Sequence, residues 1–220
     1  MDDILPVLKK NKLFDGIGDP DILQQLLPRG HFQTYAKGQY LIQPQQVVDR
    51  FAVILSGRVN IIHIFPEGNY SLLTALPAGA TLGADLICTR TRISPHHAVA
   101  VVLTEVLYFP VELLTEKDLL PEPLRQMILN NLLMLISNEN IKKEYRLTIL
   151  SQKGLRERIL TYLTMQANRR KETTFSISFS REELAAFLCV NRSALSHELS
   201  LMQQEGLITF RKNIFTVHFL

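Results

Sequence analysis

The sequence predicts an α+β chain in three parts: a β sandwich or barrel, one long helix, and two short helices followed by a hairpin. Three observations predict this. Short β-rich runs punctuated by glycine fill residues 31–110. No glycine or proline interrupts the chain between Pro123 and Gly154. Two helix-start signals, Ser180 with Glu183 and then Asn191, precede apolar residues at helical spacing.

With 220 residues, 46% hydrophobic and 20% charged, the chain can bury a core without staples. Ten glycines and ten prolines exclude collagenous and low-complexity classes. Two cysteines, Cys88 and Cys189, exclude a disulfide framework and a Cys-rich zinc or iron–sulfur site. That usage suits a reducing compartment. No run approaches the ~20 apolar residues of a membrane span, and MDDILPVLKK lacks a signal-peptide pattern. A cytoplasmic protein without a membrane partner is expected.

In the β part the strands read YLIQ (Tyr40 to Gln43), FAVIL (Phe51 to Leu55), RVNIIHIF (Arg58 to Phe65), YSLLTAL (Tyr70 to Leu76), HAVAVVL (His97 to Leu103) and EVLYFP (Glu105 to Pro110). Turn signals at Lys37-Gly38, Ser56-Gly57, Glu67-Gly68-Asn69 and Ala78-Gly79 separate them. In the third run Val59, Ile61, His63 and Phe65 alternate with Asn60, Ile62 and Ile64, which predicts two distinct faces.

Pro121 and Pro123 open one helix of about seven turns, to about Leu150. It is apolar almost all round between Ile128 and Ile136, more than one buried stripe requires. The excess fits a second copy of the helix, or a helix simply buried. Met127, Asn131, Met134, Asn138, Ile141, Tyr145 and Thr148 step by three and four, as a two-stranded seam would, with asparagine fixing register. A further helix follows Gly154, from Leu155 to about Arg169, and then a strand, Phe175 to Phe179.

Residues 180–208 carry the chemistry. Ser180 with Glu183 reads as a capping box opening a helix that stops near Cys189-Val190. Asn191 then caps a second helix, Arg192 to Gln204, packed through Leu195, Leu199 and Met202 and ended by Gly206. Two short helices joined by a turn of about four residues form a helix-turn-helix. LITFR and FTVHF, split by Lys212-Asn213, add a small wing. Arg192, Ser193, Ser196 and His197 face outward near the start of the second helix. Arg can donate bidentately to guanine, and Ser and His can bond base edges or phosphates. Both helix N-termini, at Ser180 and Asn191, favour a phosphate oxygen, while Arg181, Arg211 and Lys212 suit backbone phosphates. Residues 1–120 carry 10 Lys and Arg against 12 Asp and Glu; residues 121–220 carry 14 against 9. That basic end fits a polyanion or a solvated face, and Arg192 has a surface alternative in pairing with Glu182 or Glu183.

These motifs together resemble the cyclic-AMP receptor protein / FNR (Crp/Fnr) family of bacterial transcription regulators. KGQYLI (Lys37 to Ile42), FAVILSGRVNI (Phe51 to Ile61) and LPAGATLGADL (Leu76 to Leu86) are similar to the glycine-marked strands of its cyclic-nucleotide-binding jelly roll. SREELAAFLCVNRSALSHELSLMQQEGLI is similar to its winged helix-turn-helix. The resemblance implies an effector-binding jelly roll (1–120), a dimerisation helix (121–150) and a DNA-binding domain (151–220). It implies a homodimer on a palindromic double-stranded operator, gated by a small-molecule effector, with no catalytic residue and no resident cofactor. RNA polymerase is a further expected partner.

The effector site implied by position comprises Leu82, Gly83, Asp85, Arg90, Arg92, His96, His97, Asn138 and Tyr145. Nucleotide-binding members carry Gly-Glu-Leu and, some ten residues on, Arg-Ser. Here the stretch is Gly83-Ala84-Asp85-Leu86, and the Arg-Ser positions fall near Ser94-Pro95. No arginine stands where a cyclic phosphate would be clamped, and a buried phosphate without a cation is costly. The expectation is an effector other than cyclic AMP, with Arg90 and Arg92 able to substitute only through a changed loop. The iron–sulfur mode, which uses four cysteines, is excluded by count. Alternatives are a haem- or metal-dependent sensor using His96 or His97, with Cys88 as a second haem ligand, and a cupin-like metalloenzyme. The last would need about three histidines and a carboxylate to converge.

Overall fold

The computed structural model describes residues 4–18 and 20–219. Contacts divide the chain into two units: Met1–Pro66 with Leu73–Asn140, and Glu67–Leu72 with Ile141–Leu220.

The first unit begins with α1 (Leu5–Lys10), a 3-10 turn (Lys12–Phe14) and α2 (Pro20–Leu26), which the sequence reading did not contain. Buried Asn11 holds this corner. Its Oδ1 accepts from Leu13 N at 2.9 Å, while its Nδ2 donates to Gly79 O at 2.9 Å and to Thr81 Oγ1 at 3.0 Å. Every polar atom of the amide is thereby paired, which burial requires.

The roll follows as β1 (His31–Tyr35), β2 (Tyr40–Ile42), β3 (Arg50–Ser56), β4 (Arg58–Ile64), β5 (Tyr70–Pro77), β6 (Thr81–Leu82), α3 (Ala84–Ile87), β7 (His97–Ala100), β8 (Thr104–Pro110) and α4 (Glu112–Thr115). Two four-stranded sheets form, ordered β1-β8-β3-β6 and β2-β7-β4-β5. Their apolar interior includes Phe51 stacked on Phe109 at 5.5 Å and Phe14 edge-on to Phe109 at 5.9 Å. The β3–β4 turn needs Gly57: its φ is +83°, and a Cβ there would lie 2.4 Å from Leu103 O.

Within the roll the structure departs from two strand expectations. The clean alternation in β4 fails, because Asn60 and Ile62 are buried as well as Val59 and Ile61. The run at His97 ends at Ala100, where Thr104 Oγ1 bonds Val102 O at 2.9 Å and turns the chain. Val102 and Leu103 are left exposed.

The long helix is α5 (Glu122–Leu150). Ile128 and Leu132 enter the first unit's core, with Leu124, Leu129, Leu135 and Ile136 packed beside it. Leu133 and Met134 stand 65% and 63% exposed. In the second unit Ile149 is buried while Ile141, Tyr145 and Leu147 are exposed. Asn131 is spent within the chain, donating to Leu13 O at 3.1 Å and Asp15 O at 2.7 Å. It therefore leaves the predicted seam, while Met134, Asn138, Ile141 and Tyr145 remain exposed.

The second unit continues with α6 (Leu155–Arg170), β9 (Thr174–Ser176), α7 (Arg181–Phe187), α8 (Arg192–Gln204), β10 (Ile208–Arg211) and β11 (Ile214–Val217). The strand expected over 175–179 is shorter and shifted, because β9 ends where its partner β11 begins at Ile214, opposite Ser176. The sheet order is β10-β11-β9. Ile159, Leu163, Leu184, Leu195, Leu199, Met202 and Phe215 fill the core.

Candidate functional site

The two caps form as the residue types require. Ser180 Oγ accepts from Glu183 N at 3.2 Å, and Glu183 Oε2 accepts from Ser180 N at 2.8 Å, a complete capping box. Asn191 Oδ1 accepts from Ala194 N at 2.8 Å and from Ser193 Oγ at 2.9 Å. Between the caps α7 ends in a left-handed turn at Cys189, whose φ is +58°. Leu184, Leu188, Leu195, Leu199 and Met202 bury the inner faces of both helices. This packing fixes which face of α8 is left over.

That face carries the predicted residues. Asn191, Arg192, Ser193 and His197 are exposed, and Ser196 is half-buried. Glu183 is committed to its cap. Arg192 has no hydrogen-bond or ion-pair partner among the described residues, so its guanidinium is available to an external acceptor. Arg192 also acts on Arg181: burial first, and this neighbouring positive charge second, push the Arg181 pKa down.

Arg181 sits differently from Arg192. It is half-buried, with Cζ 4.9 Å from the Phe210 ring centre and 5.6 Å from that of Phe215, and its Nη2 donates to Lys212 O at 3.1 Å. Lys212 is exposed at the wing tip. Asn213 ties the same turn to the segment before α7: Nδ2 donates to Ile177 O at 2.9 Å, and Ile177 N donates to Asn213 O at 2.9 Å.

Two arrangements escaped the sequence reading. Arg156 on α6 braces α8, donating to Glu198 Oε1 at 2.6 Å and through both Nη atoms to Glu205 at 2.7 and 2.8 Å. These bonds push the Arg156 pKa up and the Glu205 pKa down. Arg146 lies over the Phe187 ring at 5.3 Å and donates to Ser71 Oγ at 2.7 Å and Phe187 O at 3.4 Å. Ser71 Oγ in turn lies 3.5 Å from Cys189 Sγ. Partners 41 to 75 residues apart leave no periodic signal.

The positions assigned to an effector are scattered over several elements of the roll and the helix. Leu82 is buried, and Gly83, at φ +80°, precedes α3, where a Cβ would lie 3.2 Å from Arg50 O. Asp85 is half-buried in α3, Arg90 is exposed, and Arg92 is half-buried at φ +53° with its carbonyl accepting from Val48 N at 2.8 Å. Burial, and after it the Asp85 carboxylate, raise the Cys88 thiol pKa. Ser94 is fully buried and donates to His96 O at 2.8 Å. With Pro95 beside it, neither of these two positions supplies a cation.

His96 is half-buried before β7. His97 lies on β7, in the sheet opposite to β6, with its ring 5.2 Å from Tyr40 and a buried Nδ1 that has no partner among the described residues. Asn138 and Tyr145 are exposed on α5. No group of three His, Cys, Asp or Glu side chains that could hold a metal occurs among the described residues. The convergent ligand set that a cupin-like centre needs is therefore not assembled there.

Comparison with known proteins adds to this geometry. Residues 32–117 match the cyclic nucleotide-binding domain family and residues 157–218 match the Crp-like helix-turn-helix domain family. The chain is 27% identical over 199 residues to the transcriptional activator protein Anr of Pseudomonas aeruginosa, covering 88% of this chain and 78% of that protein. It is 24% identical over 202 residues to the fumarate and nitrate reduction regulatory protein of Vibrio cholerae, covering 90% and 78%. The fold matches the c-di-GMP-responsive global regulator CLP of Xanthomonas campestris with a TM-score of 0.72 at 17% identity, over 92% of this chain and 100% of that one. It matches FixK2 of Bradyrhizobium japonicum with a TM-score of 0.65 at 15% identity, over 86% and 92%.

Proposed function

The chain belongs to the Crp/Fnr family of transcription regulators, and from that premise we propose that it acts as a homodimer reading a palindromic operator under the control of a small organic effector. The observation that carries the reading is the uncommitted outer face of α8. Arg192 and His197 are exposed and the helix start is capped by Asn191, so the donors a major groove requires are displayed on a rigid helix.

Arg192, Ser193, Ser196 and His197 meet base edges, with Arg192 giving the strongest discrimination through a bidentate pair with guanine. Ser180 and Asn191 spend their side-chain oxygens on caps, so they hold phosphates through the helix N-termini they organise. Lys212 reaches a backbone phosphate from the wing. The exposed side chains Met134, Ile141 and Tyr145 of α5 supply the twofold seam that sets half-site spacing. Residues 1–120 act as the effector domain, 121–150 as the dimerisation helix and 151–220 as the DNA-binding domain.

The proposed effector is other than cyclic AMP. Ser94 and Pro95 stand where the phosphate's cation would be needed, and the buried Ser94 hydroxyl is spent on His96 O. Ligand shifts a balance between dimer arrangements. The protein works in the cytoplasm, has RNA polymerase as a further partner, and performs no catalysis. No helix among the described residues is long and apolar enough to cross a membrane.

Duplex binding measured by fluorescence anisotropy over a salt series tests the reading. The affinity is expected to fall steeply and linearly on a log–log plot as salt rises, by about 0.9 log units per phosphate neutralised and tenfold in salt. Binding that ignores salt, or no binding, would overturn it.

A further inference from the structure

We propose that Arg181 is a positioning residue for the wing, acting through Lys212 rather than as a phosphate contact of its own. The inference rests on the DNA-binding reading above. It starts from the contrast between two arginines on neighbouring helices: Arg192 is exposed without a partner among the described residues, whereas Arg181 is half-buried and engaged on three sides.

Phe210 and Phe215 face each other across the hairpin and stack at 5.8 Å. The Arg181 guanidinium lies within 5.6 Å of both ring centres. A cation in that place is attracted by the ring faces. Its Nη2–H then points at the Lys212 carbonyl, 3.1 Å away. Lys212 has φ +55°, a left-handed conformation uncommon for a non-glycine residue and typical of a two-residue hairpin turn. Asn213 closes the other side of the turn through its two bonds with Ile177. The turn is thus held between the first residue of α7 and the segment that follows β9. Lys212 projects its ammonium from a fixed base, and the wing keeps its place relative to the reading helix.

This role depends on shape as well as charge. Guanidinium is planar and presents its donors in a fixed fork, while the ammonium of lysine is a compact point charge with neither property. Arg181→Lys therefore separates the alternatives. A phosphate contact survives that change, because a point charge suffices for counterion release. A clamp built on ring faces and one directed hydrogen bond does not.

The test uses the full chain and a fluorescent 30-base-pair duplex of mixed sequence, with affinity measured between 50 and 200 mM salt. Lys212→Ala is expected to reduce the salt slope by about 0.9, so that the loss of affinity across that range shrinks about 3.5-fold. Arg181→Lys is expected to reduce the slope by nearly as much although no charge is removed. The Arg181→Ala/Lys212→Ala double variant should match Lys212→Ala alone. An Arg181→Lys slope equal to the parent's would overturn the proposal, as would an Arg181→Ala/Lys212→Ala loss of about 1.8, twice the single effect. Failure of the parent chain to bind the duplex at all would instead overturn the DNA-binding reading, and the wing's role with it. Lys212→Ala alters only an exposed turn residue, so its slope is readable whatever Arg181 variants do to the fold.

Discussion

Replacing Met134 by glutamate is expected to split the proposed dimer while leaving each chain folded. Burying a methionine side chain fully is worth roughly 1.5–3 kcal/mol. Met134 is 63% exposed in the subunit, which scales the gain from a covering partner to about 1–2 kcal/mol per copy. A twofold seam counts the residue twice, so its loss costs about 2–4 kcal/mol. That raises the dimer dissociation constant roughly 30- to 700-fold, and two carboxylates brought together at the seam add repulsion. The subunit's own core is untouched, because Ile128 and Leu132 do the inward packing of this helix. Sedimentation equilibrium over a dilution series reads the constant, and circular dichroism reads the fold. A variant that dimerises as tightly as the parent would refute the assignment of this face.

Three further outcomes follow from the second unit. Leu199→Ala empties a fully buried position between the helices and should cost about 2–5 kcal/mol in urea melts; a loss under 1 kcal/mol would mean the core is not as described. Cys189→Gly relieves a side chain at φ +58° and should stabilise by about 1 kcal/mol, seen as a raised midpoint; an unchanged or lowered midpoint would refute it. The Glu205 carboxyl is held below its ordinary pKa of 4.5 by the Arg156 hydrogen bonds. Its contribution is therefore full above about pH 4.5 and fades as pH falls through the depressed value. Melting profiles in acid should show a small extra loss in the parent that Arg156→Met abolishes, small because the pair is reached by solvent.

The parts of the molecule that could be read from sequence are those that local chemistry fixes. Ser180, Glu183 and Asn191 announced two helix starts because capping is settled within four residues, and both caps form as read. The long helix was legible because nothing between Pro123 and Gly154 can break it. The N-terminal helices were not, since they are short and owe their place to Asn11 reaching Gly79 and Thr81, about seventy residues on. The alternation in β4 misled because Asn60 and Ile62 are covered as well. Asn131 fitted a seam by spacing, yet its amide is taken by two carbonyls near the 3-10 turn. On the candidate DNA face, Arg192 and Arg181 look alike in sequence. The placement of Phe210, Phe215 and the Lys212 carbonyl separates an exposed guanidinium from an engaged one.

Selection of bound duplexes from a random-sequence pool tests the central claim most directly. The parent chain is expected to enrich an inverted repeat whose half-sites lie about one helical turn apart, and Arg192→Ala is expected to erase a guanine preference within each half-site while leaving the chain dimeric. Enrichment of no motif by the parent, or of an identical motif by Arg192→Ala, would contradict the account.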